Sequence, residues 1–133
     1  MITGALLLVV LAIAPAAADS LLKLAPPGSS AISNPFDRDD RARRAGAKLY
    51  ARECAACHGR DGSGFGKAPP LNLGAVYNAP PGALFWVLRN GSLYHGMPSF
   101  AHLPEPQRWQ IVTFLRTPGA FDSGKGSRET RPR

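Results

Sequence analysis

The sequence predicts an all-α fold, three main helices joined by long loops, and three observations predict it. Segments near residues 39–54, 81–90 and 105–116 carry apolar or small residues at helical spacing, between recognisable start and stop signals. No segment alternates apolar and polar residues as a half-buried strand would, and no internal repeat is present. Cys54-Ala55-Ala56-Cys57-His58 is C-x-x-C followed at once by His, the pattern that covalent attachment of a c-type haem requires. The folded part has roughly eighty residues, a size at which apolar burial alone is marginal, so a buried haem would serve as much of the core.

The chain divides into four stretches. Residues 1–18 read as a signal peptide: an apolar run over residues 2–14, then Pro15, then Ala16-Ala17-Ala18 before Asp19. The run falls short of the about 20 apolar residues that a membrane span needs. No Lys or Arg precedes it, so its charge is the amino terminus alone, and an uncleaved anchor is the alternative. Position 19 is not a cysteine, which leaves a lipid-modified signal without an attachment point. Residues 19–36, with Ala25-Pro26-Pro27-Gly28-Ser29-Ser30 at their centre, read as a flexible Pro/Ser-rich segment. Residues 37–117 form the folded domain, and residues 118–133 read as a basic disordered tail.

Within the domain, the first helix runs from about Asp39 into the cysteine motif. Asp37, Asp39 and Asp40 suit the positive amino end of a helix dipole, and Gly46, Tyr50 and Cys54 recur every fourth residue on one face. Gly46 invites another helix to approach closely. The second helix spans about Pro81 to Asn90, with proline in its first turn, Leu84, Val87 and Leu88 on one face, and Gly91 just past its end. The third runs from about Glu105 to Arg116, carries Trp109, Ile111, Val112, Phe114 and Leu115, and is stopped by Pro118.

The motif carries its own chemistry. Residues three apart on a helix share a face, so Cys54 and Cys57 can each form a thioether with one of two neighbouring vinyl groups, which places His58 beneath the iron. The rival readings explain less. A disulfide between Cys54 and Cys57 closes so short a loop that it is strained and removes little chain entropy, and it leaves His58 without a role. A thioredoxin-type pair needs a βαβ setting, and a structural zinc site needs four ligands where no second cysteine pair exists.

Gly46-x-x-x-Tyr50-x-x-x-Cys54-x-x-Cys57-His58, Gly96-Met97-Pro98-Ser99-Phe100 and the stretch from Trp109 to Arg116 together resemble a class I c-type cytochrome of the compact bacterial monohaem type. The resemblance covers residues 37–117. It implies a small cytochrome c fold wrapped around one covalently attached haem c with its iron, in which Gly46 and Tyr50 meet Ile111, Phe114 and Leu115. It also implies that the loop Pro69-Pro70-Leu71 supplies the carbonyl that accepts the second N–H of His58, with Pro69 the better match. A ligating histidine generally donates that N–H, which fixes the ring. Leu71, Leu73, Val87, Leu88 and Phe100 would line the haem, and Trp86, Arg89, Asn90 and Trp109 are propionate contacts on side-chain chemistry alone.

The sixth iron ligand decides function. Met97 offers a soft thioether, and His/Met ligation raises the reduction potential and leaves no open site, which suits electron transfer. Pro98 disfavours helix at Met97 and so leaves it in an extended loop. Apart from the initiator it is the only methionine. A gap-filling core methionine is the alternative for Met97 itself, and His95 and His102 are rival ligands from the same loop.

The formal charge is +7, with arginines and lysines on the first helix and in the tail. Such a surface favours rapid encounter with an acidic redox partner. Nucleic acid does not fit, since no recognition motif accompanies the basic residues. The expectation is an exported, periplasmic monohaem cytochrome that passes single electrons between a redox donor and acceptor, and no enzyme. Membrane association would come only through a partner complex or an uncleaved leader facing the periplasm. The alternatives are a haem enzyme or gas sensor with an open distal site, or a fixed subunit of a dehydrogenase or oxidase complex.

Overall fold

The computed structural model of the chain describes residues 20–124, so the expected signal peptide and most of the expected tail lie outside the described residues. Helices α1 (Asp40–Glu53), α2 (Ala55–His58), α3 (Gly74–Tyr77), α4 (Pro81–Asn90) and α5 (Glu105–Leu115) follow in order, with 3-10 turns at Pro27–Ala31, Leu93–His95 and Ala120–Gly124. Among the described residues no strand forms, and β pairing is confined to isolated bridges at Phe65 with Ala68 and Ser92 with Met97. The fold is all-α, as the sequence predicts.

Helix ends fall where the local chemistry puts them. Asp39 is extended, and its Oδ1 accepts from the backbone N–H groups of Arg41 at 2.7 Å and Ala42 at 3.0 Å, which occupies donors that the first turn of α1 leaves free. The bond from Ala42, with help from nearby arginines, holds the Asp39 carboxyl below its usual range. Prolines open α4 and α5, and α4 stops at Gly91. One expectation is modified: α1 does not run unbroken through the motif. The chain turns at Cys54, with φ −117°, and resumes as α2. The Cys54 N–H still donates to Tyr50 O and its carbonyl accepts from His58 N, so the joint stays tight.

The core forms where α1 crosses α5. A side-chain carbon on Gly46 would stand 2.0 Å from the Gln110 carbonyl oxygen and 2.9 Å from Phe114 Cβ, so only glycine lets the two backbones come this near. One turn on, the Tyr50 ring lies 5.3 Å from that of Phe114 and 5.1 Å from that of Phe121, with Phe114 and Phe121 edge to face. The Tyr50 hydroxyl donates to Gly59 O at 2.7 Å, tying α1 to the loop after the motif. Ile111 and Val112 are sealed completely from solvent.

Two boundaries differ from the sequence reading. The segment at 19–36 is not a free tether over its described length. Its turn Pro27–Ala31 rests on α4 with Ser29 buried, and buried Asn34 donates to Thr113 Oγ1 of α5 at 2.9 Å. Proline here opens a docked turn, and within it the Ser29 hydroxyl donates back to Pro26 O. The tail likewise begins later than Pro118, because buried Phe121 completes the aromatic cluster around Tyr50.

Candidate haem site

The motif opens onto a cavity of about 500 Å³ lined by Cys54, Cys57, His58, Pro69, Leu71 and Met97, together with apolar side chains of α3, α4 and α5. The joint at Cys54 sets the two thiols in different surroundings: Cys54 is buried and Cys57 exposed. Burial above all, with Glu53 and Cys57 adding to it, pushes the Cys54 thiol up to about 12.

His58 closes α2, and the loop that follows folds back to meet it. Gly64 N donates to His58 O at 2.8 Å, Leu71 N donates to Gly62 O at 2.7 Å, and Phe65 and Ala68 exchange both backbone bonds. This brings the Pro69 carbonyl to 2.8 Å from His58 Nδ1. A carbonyl can only accept, so Nδ1 carries the proton and Nε2 keeps its lone pair. The imidazole is thereby fixed in the tautomer and orientation that a metal ligand needs.

Met97 reaches the cavity on a second loop. Ser92 and Met97 exchange backbone bonds at 2.9 Å in each direction, which closes the turn at Leu93–His95 into a short hairpin. Gly91 has φ +62°, and any Cβ there would lie 2.5 Å from Pro98 O and 2.7 Å from Met97 O, so the returning backbone lies against its bare Cα. Phe100 N donates to Leu88 O at 2.9 Å and the Ser99 hydroxyl donates to Arg89 O at 2.6 Å, which pins the rest of the loop to α4.

The donor set is two thiols beside one another, an imidazole with a free Nε2 and a thioether, within apolar walls of a size typical of cofactor pockets, roughly 300–1,000 Å³. Those residues fit a haem c. A family model described as cytochrome c oxidase, cbb3-type, subunit III matches residues 41–115. The chain belongs to this family of c-type cytochromes. No curated protein matches it.

The cytochrome therefore carries covalently bound haem c with its iron, and its work is haem-based electron transfer with redox proteins as partners. Among the described residues no helix is long and apolar enough to cross a membrane. Of the expected lining residues, the structure brings Pro69, Leu71, Val87, Leu88 and Phe100 to the cavity, and not Pro70 or Leu73. His95 lines it and His102 does not, resting instead beside the Phe100 ring. Trp86, Arg89, Asn90 and Trp109, named as propionate contacts on side-chain chemistry alone, do not line the cavity. Trp109 stacks on Phe85 at 4.0 Å, a core role that side-chain chemistry alone does not reveal. The charged side chains on the lining are Glu53 and Lys67, and the sequence reading passed over both, as it did Leu21 and Leu22.

Proposed function

We propose that this cytochrome is an exported single-electron carrier in which Cys54 and Cys57 hold the haem and His58 and Met97 ligate its iron. The observation that carries the reading is the pairing of two prepared donors on one cavity: His58 with Nδ1 engaged by Pro69 O, and Met97 on a loop closed by Ser92. When bound, the haem supplies an iron that alternates between ferrous and ferric. The chain's own residues do the rest. Leu71, Val87, Leu88 and Phe100 exclude water, and the Ser92–Met97 pairing keeps the thioether in place through each cycle. No substrate bond is made or broken. The alanine-rich site before Asp19 supports export, and the charge of +7 supports an acidic docking surface on the partner.

The test is spectroscopic. The ferric protein should show the weak red band of sulfur-to-iron charge transfer, and the ferrous protein should bind carbon monoxide poorly. Met97→Ala should abolish the band, lower the potential and open the iron to added ligands, because a soft thioether favours ferrous iron. His95→Ala should leave the band intact. Rapid carbon monoxide binding by the wild type, unchanged in Met97→Ala, would replace the carrier with an enzyme or sensor. One observation favours a second reading: the matching family is described as an oxidase subunit, so the chain could serve as a fixed subunit passing electrons within such a complex. Recovery only in washed membranes after high salt would favour it, and recovery in the periplasmic fraction would favour the free carrier.

A further inference from the structure

Leu21 and Leu22 line the same cavity as Cys54, His58 and Met97. Leu21 is 8% exposed and Leu22 packs against the core, whereas Leu24 just beyond is 49% exposed. A passing tether would leave all three alike. Here the backbone turns, with Leu24 N donating to Leu21 O at 3.1 Å and Ala25 N to Leu22 O at 3.2 Å, so that the paired leucines face inward. The turn is held from behind. Ser29 is buried against α4 and Asn34 is bonded to Thr113, so little slack remains between these anchors and the cavity.

We propose that residues 20–24 form a wall of the haem cavity, with Leu21 and Leu22 closing it against water. Two aliphatic side chains on the wall of a haem cavity would keep the local dielectric low, which raises the potential by disfavouring the more highly charged ferric state, and would block the approach of small ligands. The segment is thus part of the electron-transfer machinery and no longer only a connection to the leader. The proposal rests on the reading that this cavity holds the haem.

The experiment uses the haem-bearing protein from Asp19 onward. In the ferrous wild type with labelled leucine methyls, the resonances of Leu21 and Leu22 should be displaced by the haem ring current. In Leu21→Ser/Leu22→Ser, the potential should fall and imidazole should bind the ferric protein roughly tenfold faster, as the fraction of open protein rises. Undisplaced methyl resonances overturn the proposal, and so does a folded double variant with the wild-type potential and imidazole rate. The haem that survives denaturation and the sulfur-to-iron band, both measured on the same wild-type sample, report separately on Cys54, Cys57 and Met97. Their loss would remove the parent reading. Their persistence beside undisplaced methyls would remove the wall alone.

Discussion

Gly46→Ala puts one methyl group into the crossing of α1 and α5. That carbon would lie 2.0 Å from the Gln110 carbonyl oxygen, 2.7 Å from its carbon and 2.9 Å from Phe114 Cβ. Close carbon–oxygen contacts in proteins lie near ~3.3 Å, so the helices must part by about 1 Å. The obstacle is backbone, which cannot swing aside as a long side chain would. Overpacking of this kind costs about 1–3 kcal/mol, and the upper end applies where no rotamer gives relief. Alanine's better helix propensity returns about 1 kcal/mol. A net loss of about 2 kcal/mol, at about 4–8 °C per kcal/mol in a domain this small, lowers Tm by about 8–16 °C. Gly74→Ala is the control, because its new carbon meets only Asn78 Nδ2 at 3.7 Å. Thermal melts followed by far-ultraviolet circular dichroism, with the haem absorbance confirming attachment, compare the two. A Gly46→Ala protein that melts at or above the wild-type temperature would refute the close crossing.

Two other outcomes follow from the loops. Gly91→Ala must place an alanine at φ +62°, ψ −165°, a region essentially confined to glycine, which costs about 1–3 kcal/mol, and press its Cβ on Pro98 O, so the Met97 loop should shift and the sulfur-to-iron band weaken while both thioethers survive. An unchanged band in that variant would show that the loop tolerates the carbon. Tyr50 is buried, which raises the pKa of its phenol, with the Asp61 charge adding to the effect. Its contribution to stability is therefore present below the ordinary phenol value of about 10 and is lost as pH rises beyond it. Tyr50→Phe should cost about 1–2 kcal/mol near neutral pH through the Gly59 carbonyl left without a donor, and should flatten the alkaline fall in denaturant stability. Parallel alkaline profiles for the two proteins would count against it.

What could be read from the sequence was whatever rests on local periodicity and covalent pattern. Asp39 before α1, Pro81 and Gly91 around α4, and Gly46 facing α5 are each a single-residue signal with one physical meaning. The pairing of His58 with Pro69 was expected from family resemblance, since no spacing rule foretells that a loop eleven residues on will turn back. The docked turn at Pro27–Ala31 was hidden because Pro, Gly and Ser serve linkers and 3-10 turns alike, and only the Asn34 bond to Thr113, far along the chain, separates the two. Leu21 and Leu22 abut the apolar leader and show no period of their own. Trp109 suggests a polar contact by its N–H, yet its ring is committed to Phe85 and its Nε1 to Glu105.

The crossing of α1 with α5 also carries a cost of closure. It joins Gly46 near the start of the domain to Gln110 near its end, with the whole cofactor-binding stretch in between. A contact so distant in sequence carries a loop-closure cost that grows with the length of the intervening chain. The chain emerges from synthesis with the cysteine motif ahead of α5. In the finished fold Cys54 is buried on the cavity lining, while Cys57 is exposed. A haem held beside Cys54 and Leu115, which both line the cavity, would bring apolar surface to that same span and so offset part of the cost of closing it.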